Sequence, residues 1–444
     1  MSDIFLPDIK KSTIAIIGLG YVGLPLAVEF GKIKISNKNS YRKVIGFDIN
    51  KKRIDELTNK VDVTNEIKSN ILNQAKGLEL CSESYLIRDA DIFIITVPTP
   101  ITSDNNPDLI PLINATKHVA EALISRKNRC KPIIIYESTV YPGTTEEICV
   151  PILENISDLV FNKDFFCGYS PERINPGDNK NKLTSIIKLT SGSNSEITKW
   201  VNDFYASIIS AGTFMCSSIK VAEAAKIIEN TQRDLNIALI NELAIIFNKL
   251  GIDTLDVLKA ASTKWNFLDF KPGLVGGHCI GVDPYYLTFK AKQVGYYPEL
   301  VLAGRRINDN MSNWISDQII LKMIKNNIDV RNSNILILGF SFKENCADIR
   351  NTKVVDLYRA LKIYNLNCKV IDPIIDIKNA EDLYKVKIID KLPKEEKFDA
   401  IIVAVAHECF KKISISNWKK LMKKDAIIFD LKGIVPRELN PNRI

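Results

Sequence analysis

Histidine and paired cysteine are scarce in this sequence, and their scarcity argues against a metal site. The 444 residues include three histidines, and the nine cysteines form no CxxC pair. A zinc centre of clustered Cys and His side chains is therefore not expected, and we predict no metal. An odd number of scattered cysteines indicates reduced thiols rather than a disulfide framework.

A strong charge of one sign is also lacking. Lys and Arg (60) exceed Asp and Glu (52) by eight, and no run of five basic residues occurs. This pattern predicts no nucleic-acid partner. Gly (20) and Pro (18) are not enriched, which excludes collagen-like or low-complexity sequence. A hydrophobic share of 46% in a chain of this length predicts two or three globular domains.

Long hydrophobic runs are absent as well. The uncharged stretch at residues 12–28 spans 17 residues but contains three glycines and a proline. A membrane helix needs about 20 apolar residues, and no small-residue cleavage site follows the stretch. We therefore predict no signal peptide, no membrane insertion and a cytoplasmic location.

Short runs rich in β-branched residues recur in both halves of the chain. They lie at residues 14–17, 44–47, 92–96 and 133–136, and again at residues 335–338, 368–371, 400–405 and 426–429. Such runs suit strands buried on both faces of a parallel sheet, with crossover helices between them. The sequence therefore predicts an α/β fold with two Rossmann-like, doubly wound domains.

A long helix is predicted between these halves. Residues 221–250 contain no Pro or Gly, and Gly251 follows as a helix stop. The predicted architecture is two α/β domains joined by a helical middle domain with a long central helix.

A GxGxxG motif follows the first apolar run, at Gly18, Gly20 and Gly23. Its glycines permit a tight turn, the approach of a pyrophosphate and close packing of helix on strand. The second run ends in Asp48, a carboxylate that suits a ribose diol and repels a 2′-phosphate. NAD is therefore favoured over NADP, although the nearby Arg53 moderates this preference. The alternative is a glycine turn without a ligand.

A second glycine-rich segment, GLVGGHCIGVDP at residues 273–284, surrounds Cys279. Its four glycines allow a ligand to approach the backbone closely. A cysteine nucleophile needs an accessible, electropositive setting, which the neighbouring His278 and Asp283 could tune. The spacing alone fits an inert buried cysteine equally well.

Three polar residues share one face of the long helix. Lys226, Asn230 and Arg233 lie at i, i+4 and i+7. Because the residues around them are largely apolar, the helix is expected to be buried. A buried lysine suits a catalytic or oxyanion-binding role. The alternative is a solvated stripe.

Together these motifs resemble the nucleotide-sugar 6-dehydrogenase family, whose best known members oxidise UDP-glucose. The shared segments appear in the family's order: GLGYVG at 18–23, TVPTP at 96–100, ESTV at 137–140, SPER at 170–173, KIIEN at 226–230, GGHCIGVD at 276–283, GFSFK at 339–343 and DLKG at 430–433. The resemblance spans nearly the whole chain, from about Thr13 to about Gly433.

This resemblance implies the domain organisation and the reaction. An NAD-binding Rossmann domain is expected at 1–205, a helical dimerisation and catalytic domain at 206–320, and a UDP-sugar-binding Rossmann-like domain at 321–444. The implied cofactor is NAD, the implied partners are a UDP-sugar and a second copy of the chain, and two hydride transfers are implied. Cys279 would attack the aldehyde formed first, and water would hydrolyse the later thioester.

The resemblance also implies the site residues. The catalytic set is Cys279, Lys226 for the oxyanion, Asn230 in its support, Asp283 as base or orienter, and Glu172 and Thr139 for hydrolysis. The cofactor-binding set is Gly18, Gly20, Tyr21, Val22, Gly23, Asp48, Arg53, Thr99 and Thr139. The substrate-binding set is Arg173, Ile174, Lys226, Asn230, Arg233, Lys264, Gly276, Lys343, Arg350 and Lys432.

Departures from the UDP-glucose pattern bear on the substrate. Those enzymes carry PEFLxEG, whereas residues 171–177 read PERINPG, with Pro176 in place of the second Glu. The GGHC and PER segments and STKWNFL at 262–268 resemble the branch that oxidises UDP-N-acetylhexosamines for surface polysaccharide. Lys264 could reach the substrate of a neighbouring subunit.

UDP-GlcNAc is therefore expected first and UDP-GalNAc second. UDP-ManNAc, UDP-glucose and GDP-mannose dehydrogenases are the enzymatic alternatives. An NAD-binding scaffold protein is the alternative without catalysis, because fold does not determine function. The intact Cys279, Lys226 and Asp283 argue against a scaffold.

Overall fold

The chain forms two compact units. The structure is a computed structural model that describes residues 5–36, 40–64, 66–127, 130–174, 182–277 and 280–444. The first unit comprises Met1–Glu229 and Tyr285–Val294, and the second comprises Asn230–Pro284 and Gly295–Ile444. Within the described ranges, none of the helices combines the length and the apolar character that a membrane span requires.

The first half of the chain is an α/β assembly. Its strands are β1 (Ile14–Ile17), β2 (Lys34–Ser36), β3 (Ser40–Tyr41), β4 (Val44–Phe47), β5 (Leu78–Cys81), β6 (Ile92–Ile95), β7 (Ile133–Tyr136), β8 (Phe166–Tyr169), β9 (Lys188–Gly192) and β10 (Thr213–Met215). Its α-helices are α1 (Gly23–Gly31), α2 (Lys51–Thr58), α3 (Ser69–Leu72), α4 (Ile110–Ile124), α5 (Val150–Ser157) and α6 (Ser195–Ala206).

Eight of these strands form one sheet in the order β10-β9-β8-β7-β6-β1-β4-β5. Neighbouring strands run parallel, except that β9 runs antiparallel to β8. Alternate residues of β1 enter different cores: Ala15 and Ile17 join one cluster, while Ile14 and Ile16 join another. Burial on both faces explains why the strand is apolar throughout.

The helical middle and the second half follow in the chain. The helices are α7 (Ile219–Leu250), α8 (Thr254–Ala261), α9 (Asp283–Gln293), α10 (Glu299–Lys325), α11 (Val354–Ile363), α12 (Ile377–Tyr384), α13 (Glu408–Lys411) and α14 (Ile415–Leu421). The strands are β11 (Asn334–Leu338), β12 (Asn367–Ile371), β13 (Ile388–Ile389), β14 (Phe398–Val403), β15 (Met422–Asp430) and β16 (Asn442–Arg443).

The second sheet is parallel throughout, in the order β13-β12-β11-β14-β15-β16. Ile335 and Ile337 of β11 pack into one core, and Leu336 and Leu338 pack into another. The predicted fold is therefore confirmed: two Rossmann-like halves flank a helical middle that contains a long helix.

Several strands were not predicted. The sequence KLTSG of β9 carries a lysine and two hydroxyl residues, yet the whole strand is buried. Strand β5 is only partly buried, so its sequence lacks a continuous apolar run. The polar insert at 34–43 contains the antiparallel pair β2 and β3. These strands depend on tertiary pairing, which outweighs local propensity.

The long helix α7 is confirmed, but the expectation that it is buried all round is wrong in part. Val221, Ile228, Leu239 and Ile246 are 46%, 55%, 54% and 44% exposed. They lie seven, eleven and seven residues apart, so they share one face of the helix. We call these four residues the α7 stripe.

Candidate active site

The first glycine motif has the shape of a dinucleotide turn. Gly18 adopts φ +92°, and a Cβ on Gly23 would lie 1.9 Å from the Gly18 carbonyl oxygen. A Cβ on Gly20 would meet no atom of the described residues within 4 Å. The first and third glycines are thus required by the turn and its packing, while Gly20 leaves open space. This combination fits a bound pyrophosphate.

Asp48 lies at the end of β4 beside this turn. Its Oδ2 accepts a hydrogen bond from the Leu19 amide at 2.9 Å, and its Oδ1 accepts one from the Asn50 amide at 2.9 Å. The carboxylate stays partly exposed. A partly exposed carboxylate in this position fits the ribose diol of NAD and disfavours a 2′-phosphate.

Arg53 supports the turn from within the protein. The residue is 7% exposed; its Nε donates to the Leu19 carbonyl at 3.0 Å and its Nη2 lies 2.8 Å from Asp62 Oδ1. Its guanidinium is therefore engaged by protein groups, and direct contact with the cofactor stays a prediction. Tyr21 and Val22, which precede α1, pack against the adjoining core.

Hydrogen bonds link two loops and the end of β8 at the carboxyl edge of the first sheet. Thr99 Oγ1 donates to the Thr139 carbonyl at 2.6 Å, and Ser138 Oγ donates to the Val97 carbonyl at 2.6 Å. Tyr169 donates from its hydroxyl to the Ser138 carbonyl at 3.2 Å. The structure thus brings together Thr99 and Thr139, two of the predicted residues.

Glu172 follows β8 at the same edge and is 6% exposed. Its Oε1 accepts hydrogen bonds from the amides of Arg173 at 2.6 Å and Ile174 at 2.5 Å. Its Oε2 is buried and has no hydrogen-bond partner among the described residues. A buried carboxylate oxygen without a partner is costly, so this oxygen suits a water or a substrate group. Pro176 lies outside the described residues.

Arg173, predicted to contact substrate, is paired within the protein. Its Nη2 lies 2.8 Å from Glu229 Oε1, and its Nη1 donates to the Ile187 carbonyl at 2.8 Å. A substrate contact would require Arg173 to share its guanidinium with Glu229. The neighbouring Ile174 packs against the core of the first unit.

The polar face of α7 carries a buried hydrogen bond. Asn230 is 8% exposed, and its Nδ2 donates to Asp283 Oδ2 at 2.6 Å. Asp283 is the first residue of α9. Lys226 is 7% exposed and lies one helical turn before Asn230. Arg233, predicted to share this face, is exposed.

Hydrogen bonds hold the second glycine segment at Gly273 and at Gly277. The Gly273 amide donates to Asn241 Oδ1 at 2.8 Å, and Asn241 Nδ2 donates to the Gly273 carbonyl at 3.1 Å. Asn351 Nδ2 donates to the Gly277 carbonyl at 3.3 Å. A Cβ on Gly276 would lie 2.5 Å from the Asn351 carbonyl oxygen, so this position requires glycine.

Two predicted lysines of the second unit lie beside this segment. Lys432 Nζ would be 3.3 Å from a Cβ on Gly273, and burial lowers the pKa of Lys432. Lys343 lies with its Nζ 5.4 Å from the centre of the Phe342 ring, which packs against Gly277.

Other predicted residues are not brought to this segment by a described contact. Arg350 is exposed and forms a two-point ion pair with Asp348, with Nη2 2.6 Å from Oδ2. Lys264 is exposed in the loop after α8. Cys279 and His278 lie outside the described residues, so the predicted role of Cys279 stays a prediction.

A buried cluster of the second unit was missed by the sequence analysis. Asp372 follows β12, and its Oδ2 accepts hydrogen bonds from the amides of Phe340 at 2.7 Å and Ser341 at 3.0 Å. His407 Nε2 lies 3.0 Å from the same oxygen. Burial opposes ionisation of Asp372, but His407 and the two amides outweigh it and lower the pKa of this carboxyl. The sequence signal that could have revealed this cluster is an acidic residue directly after a predicted strand: Asp372 follows β12 as Asp48 follows β4.

Two glycine variants separate folding from cofactor binding. Gly20→Ala should leave the melting temperature unchanged, because the added methyl enters open space. It should weaken NAD binding about tenfold or more, since the methyl blocks the pyrophosphate. Gly23→Ala, the matched control, should lower the melting temperature as well. Calorimetric titration with NAD and thermal melts test both variants; an unchanged NAD affinity in Gly20→Ala would contradict the interpretation.

Sequence models of one family match three consecutive parts of the chain. The family is the UDP-glucose/GDP-mannose dehydrogenase family. Its NAD binding domain matches residues 12–209, its central domain residues 220–310 and its UDP binding domain residues 336–437.

The chain is similar in sequence and in structure to known proteins over nearly its whole length. It is 54% identical over 436 residues to the UDP-N-acetyl-D-glucosamine 6-dehydrogenase of Salmonella typhi, covering 98% of this chain and 99% of that protein. It is 52% identical over 423 residues to Protein CapL of Staphylococcus aureus, covering 95% and 96%. The solved UDP-D-ManNAc dehydrogenase from Pyrococcus horikoshii matches with a TM-score of 0.85 at 28% identity, covering 97% and 99%.

The resemblance stated from the motifs is confirmed by these matches, as is NAD as the cofactor. The chain belongs to the UDP-glucose/GDP-mannose dehydrogenase family and is an NAD-dependent dehydrogenase.

Proposed function

We propose that the protein oxidises C6 of a UDP-N-acetylhexosamine to the carboxylate, with UDP-GlcNAc as first substrate and UDP-GalNAc as second. The observation that carries the proposal is the buried Asn230–Asp283 hydrogen bond, one turn after the buried Lys226. A buried ammonium and a buried carboxylate suit a reaction that develops an oxyanion and moves protons. The similarity to the Salmonella typhi enzyme supports the choice of sugar.

The reaction removes four electrons from the sugar in two oxidations. NAD, when bound, accepts one hydride in each of them. The first oxidation converts the C6 alcohol to an aldehyde. Cys279 then adds through sulfur to the aldehyde carbon, which gives a thiohemiacetal with the C–H and O–H bonds that a second oxidation needs. The resulting thioester is hydrolysed by water.

The polar face of α7 would stabilise the charge that develops on the C6 oxygen. Lys226 supplies a buried ammonium, and an electrostatic interaction gains strength where water is excluded. Asn230 donates to Asp283 and thereby fixes the orientation of that carboxylate. Asp283 would act as a base or would orient the groups around the cysteine.

Glu172 would serve the hydrolysis of the thioester. Its Oε1 is held by two backbone amides, whereas its Oε2 has no hydrogen-bond partner among the described residues. The carboxylate is therefore fixed in position and keeps one oxygen for a water molecule. Thr139, whose carbonyl accepts from Thr99, would contact the same water and the cofactor.

The second unit would hold the nucleotide end of the substrate. Lys432 and Lys343 lie beside the Gly273–Gly277 backbone, where a diphosphate could meet both ammonium groups. Gly276 lets the segment pack closely against the Asn351 carbonyl, so its contact with the substrate would come from its backbone. Arg350 would add a guanidinium, and Lys264 of a neighbouring copy could reach the sugar.

The remaining predictions belong to the same proposal. We keep the domain limits of 1–205, 206–320 and 321–444, a role in surface polysaccharide synthesis and a cytoplasmic location as predictions from the sequence. UDP-ManNAc and UDP-glucose dehydrogenation and an NAD-binding scaffold are the alternatives. The buried Lys226 and Asp283 favour an enzyme, since a scaffold has no need for buried charges.

We also propose a homodimer that covers the α7 stripe. The four apolar residues of the stripe follow one face of a 32-residue helix. Exposed apolar patches of this kind mark protein interfaces, and a second copy of the same helix offers a matching apolar face.

A panel of nucleotide sugars tests the substrate. NADH production by the purified protein should give the highest kcat/KM with UDP-GlcNAc, followed by UDP-GalNAc. UDP-ManNAc and UDP-glucose should be slower, because UDP-ManNAc carries its C2 acetamido group in the axial position and UDP-glucose has no acetamido group. A higher kcat/KM with UDP-glucose would contradict the substrate assignment, and NAD binding without NADH from any of the four would favour the scaffold.

Replacement of the buried lysine tests the oxyanion role. Lys226→Ala should lower kcat roughly 10²–10³-fold while NAD affinity is kept, since one transition-state donor is lost. Lys220→Ala is the matched control, because Lys220 lies on the same helix but is exposed and pairs with Glu147 at 2.9 Å. Steady-state kinetics measures both variants. Equal kcat values for the two would contradict the role of Lys226.

Charged substitutions on the α7 stripe test the dimer. Leu239→Glu combined with Ile246→Glu should convert the protein to a monomer, because a buried carboxylate without a partner opposes association. Ile363→Glu is the control, since Ile363 is 80% exposed on a different helix. Sedimentation velocity reports the mass; a double variant that stays dimeric would rule out this interface.

A further inference from the structure

A buried lysine stands at the carboxyl edge of the first sheet without a role in the proposal so far. Lys188 is 4% exposed and is the first residue of β9. Because β9 runs antiparallel to β8, its first residue lies where β8 ends. The antiparallel strand therefore delivers an ammonium to the edge that carries Glu172.

The contacts of Lys188 join two loops. Its Nζ donates to Glu137 Oε2 at 2.8 Å and to the Pro171 carbonyl at 3.2 Å. Glu137 follows β7 and lies two residues before Thr139, while Pro171 lies directly before Glu172. One ammonium thus ties the loop of Thr139 to the loop of Glu172.

The carboxylate partner of Lys188 is satisfied on its other side as well. The Tyr205 hydroxyl donates to Glu137 Oε1, and Lys188 Nζ lies 5.0 Å from the centre of the Tyr205 ring. Burial raises the pKa of Glu137, and the charge of Lys188 opposes that rise. A buried ion pair is weak evidence for stability, because desolvation offsets its attraction. The position of the pair therefore calls for another explanation.

We infer that Lys188 is a positioning residue for the hydrolysis of the thioester, an inference that rests on the proposed function. In this step a water oxygen attacks the acyl carbon and gives one proton to Glu172. The C–S bond breaks, Cys279 leaves as a thiolate, and the new carboxyl group gives the second proton of the water to solvent as the sugar carboxylate is released. Both hydrogen bonds of the Lys188 ammonium go to the protein, so in this role it acts through Glu172. It holds Pro171, and with it the Glu172 carboxylate, at a fixed distance from the Thr139 loop.

The two oxidations should depend on Lys188 less than the hydrolysis does. The predicted oxyanion donor of the oxidations is Lys226, whereas the hydrogen bonds of the Lys188 ammonium go to Glu137 and the Pro171 carbonyl. Hydrolysis needs a water aligned between groups on the two loops that Lys188 connects. A displacement of about 1 Å can slow such a step about 10²-fold.

The test is Lys188→Met in the full-length protein with NAD and UDP-GlcNAc. The variant should produce two NADH per site in a rapid first phase at nearly the wild-type rate, followed by a steady-state rate at least about tenfold lower. Intact-protein mass spectrometry should then detect a covalent acyl adduct that is absent from Cys279→Ser. Loss of activity without an adduct, or an unchanged steady-state rate, would overturn the inference.

A second variant removes the charge imbalance that Lys188→Met leaves in the core. Lys188→Met combined with Glu137→Gln is neutral, so it should melt near the wild-type temperature, yet it still lacks the contact with Pro171. It should also accumulate the adduct. Glu137→Gln alone keeps that contact and should accumulate less. Hydrolysis at the wild-type rate in the double variant would contradict the positioning role.

Failure of the proposed function would look different. If the wild-type protein binds NAD but forms no NADH with UDP-GlcNAc or the other sugars, the reaction itself is wrong and the role of Lys188 falls with it. If the wild-type protein forms NADH but neither Lys188 variant accumulates an adduct, only the inference on Lys188 is overturned.

Discussion

The carboxyl edge of the first sheet determines where the loops that carry the proposed site residues lie. Parallel strands end at one edge, so the loops that follow them emerge side by side. These loops need fixed relative positions if side chains from several of them are to act together. In the first unit, hydrogen bonds from Thr99, Ser138 and Lys188 join the loops after β6, β7 and β8. The proposed chemistry depends on these links as much as on the groups that react.

The two halves use one architecture in different ways. In each half an aspartate follows a strand that pairs with the first strand of that half. Asp48 follows β4 and accepts from the Leu19 amide in the first glycine turn, and Asp372 follows β12 and accepts from the Phe340 amide after β11. Asp48 stays partly exposed, which leaves room for a ribose, whereas Asp372 is fully buried beneath His407. This difference agrees with the family match of an NAD binding domain to the first half and a UDP binding domain to the second.

The sequence predicts what depends on local pattern and misses what depends on distant partners. The glycine turn, Asp48 and α7 follow from spacing and periodicity. Arg173 illustrates the limit: a motif marks it as a substrate ligand, but its pairing with Glu229, 56 residues away, requires the fold. Strand β9 was missed because its sequence is polar, and the role inferred for Lys188 depends on its antiparallel pairing with β8. The exposure of the α7 stripe could not be predicted either, because the sequence alone does not distinguish an apolar residue in a core from one at an interface.

We propose that one protein carries the sugar through both oxidations before the product is released. The most direct measurement supplies a limiting, known amount of UDP-GlcNAc with excess NAD and counts NADH at completion. We predict two NADH for each sugar consumed, with the aminouronic acid nucleotide as the product. One NADH for each sugar, with a free aldehyde in solution, would contradict the claim.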